Sequence, residues 1–147
     1  MEVPITASTQ ATVQVIATTL AGTRAALATA VPLAAGSSAR LVLLIPRIVP
    51  RPLDLEEPVG SSDFFVRRYE QLVEETGGDA RVEVCHCRRL GDMLVTMLDH
   101  DATIVLGGAS GRWLMSPEER LASRLRRLAR RVVFVAAQQE AGSWSMS

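Results

Sequence analysis

The sequence has no lysine, few aromatic residues, two cysteines and two histidines. All 16 basic residues are arginines, so the chain lacks a lysine for Schiff-base chemistry or for a Walker-type phosphate contact. The 16 acidic residues bring the net charge to zero, which argues against a nucleic-acid binder. Because only 4% of residues are aromatic, aliphatic side chains must build the core, as they do in a parallel sheet covered by helices.

The few metal-ligating side chains argue against a metal site. Cys85 and Cys87 flank His86. In a strand the two cysteines face one side and His86 the other, so the three cannot converge on one metal without bending the strand. We interpret the cysteines as small core residues at a sheet edge, in a reducing compartment where no disulfide forms. His100, at a turn between two aspartates, is expected to be solvated.

Membrane and export signals are also scarce. The alanine-rich stretch 12–35 is interrupted by Arg24 and Pro32, so it does not form the span of about 20 apolar residues that a membrane helix needs. No basic residue precedes Arg24, so the N-terminus lacks the charged region of a signal peptide. We expect a cytoplasmic protein that does not bind membranes.

Short apolar segments alternate with helical patterns, which predicts five strands and four helices in a single domain. Right-handed crossovers turn this order into one doubly wound, mostly parallel five-stranded α/β sheet. We expect residues 1–10 to be a loose lead-in, 11–136 the α/β core and 137–147 a C-terminal tail. The predicted strands are 13–17, 41–45, 81–87, 102–106 and 132–135, and the predicted helices are 21–35, 61 or 62 to 76, 90–98 and one beginning after Ser116.

Several residues predict where these elements begin and end. Thr18 or Thr19 can cap the first helix, and Gly36 suits the left-handed position after it. Pro32 is expected to kink this helix or to end it early. The prolines within 46–60 predict a long loop after the second strand.

A glycine-rich segment follows the fourth strand. Loop 107–111 lies between a buried strand and a helix that Ser116 and Glu119 open with a capping box. Main-chain N–H groups at such a place can bind an anion, whereas the structural alternative is a tight turn that needs glycine. Trp113 and Met115 in the same segment could stack on a base or plug the pocket, and we expect them to plug it.

This arrangement resembles the universal stress protein family over roughly residues 13–136. The similarity is strongest in Asp101-Ala-Thr-Ile-Val-Leu-Gly-Gly-Ala-Ser-Gly111, the helix that follows, and Val132-Val-Phe-Val135. The resemblance implies a five-stranded parallel sandwich of the adenine nucleotide α-hydrolase-like type. It also implies a homodimer through the last strand, formed by Val132, Val133, Phe134 and Val135. Some members of the family bind ATP and others do not.

The family's nucleotide-binding pattern is incomplete here. ATP-binding members carry Gly-x2-Gly, nine further residues, and then Gly-Ser or Gly-Thr. Gly108 and Gly111 match the first half, or Gly107 is the first glycine and one residue is inserted. The second half is replaced by Leu121-Ala122, and Ser116 is the nearest hydroxyl.

The first strand departs from the family in the same way. The aspartate that ATP-binding members direct at the adenine falls on Thr18 or Thr19, and a hydroxyl carries no charge. If ATP or another adenine nucleotide is bound, the resemblance implies contacts with Thr18, Thr19, Gly107, Gly108, Ser110, Gly111 and Ser116.

Arginines recur along the last helix at helical spacing. They form either a basic patch for a phosphate or an acidic partner, or a solvated face favoured by the helix dipole, and the zero net charge favours the second. The residues are Arg120, Arg124, Arg127 and Arg131, with Arg126 and Arg130 beside them.

We therefore expect a small dimeric regulatory protein of the stress response, with degenerate or absent ATP binding and no catalytic residue. It would act through a protein partner or a small anionic ligand. The first alternative is a genuine ATP- or AMP-binding stress protein that uses loop 107–111. The second is a flavodoxin-like or Rossmann-like enzyme whose catalytic residues are dispersed.

Overall fold

The structure, a computed structural model, describes residues 11–48, 62–98, 101–111, 113–128 and 131–137. Within these ranges, five strands alternate with four helices. The lead-in, most of the proline-rich loop, His100, Arg130 and the tail beyond 137 lie outside the described residues. The strands are β1 (Thr12–Ile16), β2 (Arg40–Ile48), β3 (Arg81–Cys87), β4 (Thr103–Gly108) and β5 (Arg131–Ala136), and the helices are α1 (Leu20–Ser37), α2 (Ser62–Thr76), α3 (Leu90–Met97) and α4 (Pro117–Leu125).

The strands form one parallel sheet in the order β3-β2-β1-β4-β5. The chain runs outward from β1 to β3 and then crosses back to β4, so the strand order reverses between β1 and β4. Helices α1 and α2 cover one face, whereas α3 and α4 cover the other. The predicted doubly wound, five-stranded α/β fold is confirmed. Its strand order is that of the first five Rossmann strands and differs from the flavodoxin order.

The core is aliphatic, as the composition predicts. Alternate residues of each central strand serve opposite faces: Val15 packs toward α1 and α2, whereas Ile16 packs toward α3 and α4. The buried polar side chain of Gln14 donates from Nε2 to the carbonyl of Met97, at 3.1 Å. Among the largest fully buried side chains of the described residues, Thr23 is the one that is not aliphatic.

Helix α1 differs from the prediction at its C-terminal end. Thr19 caps its start, because its hydroxyl accepts a hydrogen bond from the Gly22 N–H at 3.0 Å. Pro32 does not end the helix, which continues through Gly36 to Ser37. The left-handed residue is Ser38, with φ 55°, so the assignment of that position to Gly36 was wrong. Pro32 is exposed, and water can reach the carbonyl that its missing N–H leaves unpaired.

Strand β2 is longer than predicted. Its pairing with β1 ends at Leu44, whereas its pairing with β3 continues to Ile48. Pro46 therefore lies where β2 pairs with β3 alone, a position at which a missing N–H costs no central ladder bond. The prediction that the loop begins at Pro46 was wrong, and the remainder of that loop lies outside the described residues.

Helix α4 is shorter than the arginine spacing suggests. It ends at Leu125, a turn follows, and Arg131 already belongs to β5. The helical repeat therefore holds for Arg120 and Arg124 and fails for Arg127 and Arg131. The described arginines of this segment are exposed, which fits a solvated face.

A close main-chain contact joins α1 to β4 at the edge where the strand order reverses. A Cβ placed on Gly22 would overlap the carbonyl oxygen of Gly107, and a Cβ on Gly107 would overlap the carbonyl oxygen of Gly22. Both obstructing atoms belong to the backbone, so neither can rotate away. Glycine is required at both positions by this packing.

This contact predicts opposite effects for two glycine-to-alanine changes within one helix. Gly22→Ala should lower the free energy of unfolding by about 1–3 kcal/mol, because the added methyl group overpacks the contact. Gly36→Ala is the matched control: its Cβ would meet nothing within 4 Å, and it should stabilise the helix by about 0.5–1 kcal/mol. Chemical denaturation measures both values. Equal effects of the two substitutions would contradict the packing described.

Candidate functional site

The predicted ligand-contacting residues do lie at one edge of the sheet. Thr18 and Thr19 follow β1, and Gly107 and Gly108 end β4, the neighbouring strand. The two glycines are strand residues, in register with Val135 and Ala136 of β5. The loop therefore starts at Ala109, two residues later than the sequence suggested, because the pairing with β5 continues to the end of β4.

Thr18 is bound on all sides by the protein. Its hydroxyl donates to the carbonyl of Gly107 at 2.6 Å, and its N–H donates to the hydroxyl of Thr23 at 2.9 Å. Its carbonyl accepts a hydrogen bond from the hydroxyl of Tyr69 at 2.6 Å. These bonds connect β1 to β4, α1 and α2. The residue thus fixes the junction of these elements, and its polar groups have partners without any ligand.

A carboxylate of the chain itself occupies the anion position of the glycine loop. One oxygen of Glu119, Oε1, accepts the N–H of Ser116 at 2.7 Å and the N–H of Gly111 at 2.9 Å. The N–H of Glu119 in turn donates to the hydroxyl of Ser116 at 3.1 Å, which completes the predicted capping box. These two N–H groups, one from the loop and one from the helix cap, are groups that a bound phosphate would otherwise use.

The same hydrogen bonds control the charge of this carboxylate. The bond from the Ser116 N–H, followed by that from the Gly111 N–H, lowers the pKa of Glu119 below its ordinary value of 4.5. A lowered pKa means that the interaction is complete above the ordinary value and is lost as the pH falls through the lowered one. At neutral pH, Glu119 therefore holds the loop as an anion.

Glu118 adds a second acidic side chain at this edge. Its Cβ and Cγ lie against Gly108, and a Cβ on that glycine would overlap them. Glu118 and Glu119 both lie in the first turn of α4, where negative charge complements the helix dipole. The positive end of α4 is therefore already compensated by two carboxylates of the protein.

The third glycine serves a tight turn. A Cβ on Gly111 would overlap the carbonyl oxygen of Leu114, so the backbone folds back on itself there. Trp113 is 90% exposed and Met115 49% exposed, so the prediction that they plug the pocket was wrong. The turn presents their side chains outward. Ser110 is also exposed.

The cysteine segment lies at the predicted sheet edge, on β3. Cys85 and Cys87 both pack toward α3 and α4, which confirms that they share one face. Burial raises the pKa of both thiols, which keeps them protonated at neutral pH. The Nε2 atom of His86 is buried and has no hydrogen-bond partner among the described residues. No group of three or more His, Cys, Asp or Glu residues in the described ranges could hold a metal ion.

Strand β5 forms the opposite edge of the sheet. Val132 and Phe134 pack against the α3–α4 core, Val133 and Val135 against the α1–α2 core, and all four are half-buried. The N–H of Ala137 donates to Gly108 on β4, at 2.8 Å. Because N–H directions alternate along a strand, those of Val132, Phe134 and Ala136 point away from β4.

A cavity that the sequence analysis missed lies between the N-terminal ends of α1 and α2 and the end of β2. Its volume is about 350 Å³. Its signal in the sequence is the aromatic cluster at the start of α2, which was interpreted only as a core face. The lining residues are Leu20, Arg47, Phe64, Phe65, Arg68 and Tyr69.

Comparison with known proteins gives one informative result, which concerns the fold. A solved crystal structure of a universal stress protein in complex with cAMP is similar to this chain, with a TM-score of 0.60 and 18% sequence identity. The similarity covers 88% of this chain and 98% of that one. No protein-family model and no curated protein matches the sequence. The chain therefore has the fold of a universal stress protein, as the resemblance implied. None of the described helices is long and apolar enough to cross a membrane.

Proposed function

We propose that this protein is a cytoplasmic regulatory domain of the universal stress protein type whose glycine loop binds its own Glu119 in place of a nucleotide phosphate. The observation that carries the proposal is the pair of hydrogen bonds from Gly111 and Ser116 to one oxygen of that carboxylate. A phosphate at this position would have to displace an ionised side chain whose hydrogen bonds already lower its pKa.

The electrostatics support the same proposal. A phosphate approaching the loop meets Glu118 as well as Glu119, and neighbouring like charges oppose binding. Thr18 at the end of β1 is neutral, and its hydroxyl already donates to Gly107. The edge of the sheet is therefore stabilised by internal contacts at both places where the family resemblance predicts a nucleotide. The protein would then act by binding partners rather than by catalysis.

The competing proposal is that the chain binds an adenine nucleotide. It is favoured by the crystal structure of a universal stress protein in complex with cAMP, which shares this fold. Binding through loop 107–111 would require Glu119 to rotate out and free the N–H groups of Gly111 and Ser116. The two proposals therefore differ in a measurable way.

The proposal predicts no response of the wild-type protein to nucleotides. ATP with Mg²⁺ and, separately, cAMP, each at about 1 mM, should leave the melting temperature unchanged. A site with a dissociation constant of about 10 μM would instead gain roughly 2.7 kcal/mol at this hundredfold excess. Thermal unfolding with Glu119→Ala and Glu118→Ala as a matched pair locates any response. A stabilised wild-type protein would establish the competing proposal and refute ours.

We also propose that two copies pair through β5. Its apolar, half-buried side chains and its outward N–H groups form an edge on which a second strand can add. The universal stress protein resemblance implies pairing through this strand. In the described part of the chain, β5 pairs with β4 alone.

Dimerisation through this edge predicts a molar mass twice the chain mass of 15.9 kDa. Ala136→Pro should convert the dimer to a monomer, because it removes an N–H that points away from β4 and leaves the ladder to β4 intact. Light scattering measures the mass, and the melting curve of the variant checks its fold. A wild-type monomer at high concentration, or a well-folded Ala136→Pro dimer, would rule this interface out.

A further inference from the structure

We infer that the cavity between α1 and α2 binds a small aromatic carboxylate. This site is separate from the glycine loop and does not depend on whether that loop binds a nucleotide. Its volume of about 350 Å³ lies within the range of small-molecule sites, which is roughly 300–1,000 Å³. The inference rests on the lining of this cavity.

Most of the lining is apolar and aromatic. Leu20, Phe64, Phe65 and Tyr69 form the walls, and the rings of Phe65 and Tyr69 meet edge to face, with their centroids 5.1 Å apart. Phe64 is 68% exposed, so a ligand with an aromatic ring would cover apolar surface that now faces water. The cavity therefore favours a flat, apolar ligand body.

The polar groups of the cavity are cationic. Arg47 and Arg68 are the charged residues among its described lining, and no carboxylate lies with them. The guanidinium carbon of Arg47 lies 4.5 Å from the centre of the Phe65 ring, so this charge is held at the aromatic wall. The charge of Arg68 acts on the neighbouring Tyr69 hydroxyl. Guanidinium groups bind planar carboxylates through paired hydrogen bonds, which selects an anionic head group.

The lining argues against a nucleotide base in the same place. A base presents a polar edge that needs matching donors and acceptors. The hydroxyl of Tyr69 is already committed, because it donates to the carbonyl of Thr18 at 2.6 Å. The remaining walls are hydrocarbon or cationic. An aromatic ring with one carboxylate uses both properties of this lining.

The test is an NMR titration with 4-phenylbutyrate and with its neutral analogue 4-phenylbutan-1-ol. The acid should shift the backbone amide signals of Leu20, Phe64, Phe65 and Tyr69. Its affinity should exceed that of the alcohol by about tenfold or more, since a charge-assisted hydrogen bond contributes roughly 1.5–3 kcal/mol. Equal affinities for the acid and the alcohol would overturn the carboxylate assignment.

Two variants separate the arginines of the cavity from general charge. The double substitution Arg47→Gln with Arg68→Gln should weaken acid binding by about tenfold and leave alcohol binding unchanged. The control, Arg67→Gln with Arg120→Gln, removes two exposed arginines that do not line the cavity and should bind the acid as the wild type does. Equal weakening in both double variants would refute the site. So would shifts of the same cavity amides on addition of ATP.

Discussion

The main-chain contact between Gly22 and Gly107 fixes the position of α1 over the carboxyl ends of β1 and β4. It brings the helix so close that neither residue has room for a Cβ. The hydroxyl of Thr18 then reaches the carbonyl of Gly107, and the hydroxyl of Tyr69 reaches the carbonyl of Thr18. One packing constraint thus joins both halves of the doubly wound sheet. It also leaves the polar groups of the β1–α1 junction satisfied by the protein itself.

The second half of this edge is completed by α4. Its capping box orients Glu119 so that one carboxylate oxygen reaches the N–H of Gly111 as well as that of Ser116. A loop that has the composition of a phosphate site therefore works as a closed turn. The aromatic cavity between α1 and α2 is built differently, because its walls are hydrocarbon and its charges are two guanidinium groups. Recognition at the two places would follow different chemistry.

Most of the fold could be predicted from the sequence because strand-length apolar segments and capping residues are local signals. The capping box of Ser116 and Glu119 was one of them, and the structure contains it. The additional bond from Gly111 to Glu119 joins residues eight positions apart and depends on how the turn folds, which no local pattern specifies. The same reason explains Gly36 and Pro46. Exposure of the turn around Pro32 lets α1 continue, and pairing with β3 extends β2.

The central claim is that Glu119 holds the two loop N–H groups, and amide NMR over a pH titration tests it most directly. The account predicts that the amide protons of Gly111 and Ser116 titrate together, with a midpoint below the ordinary glutamate value of 4.5. It also predicts that both transitions disappear in Glu119→Gln and that ATP moves neither signal at neutral pH. Amides that do not titrate with Glu119, or that shift when ATP is added, would contradict the account.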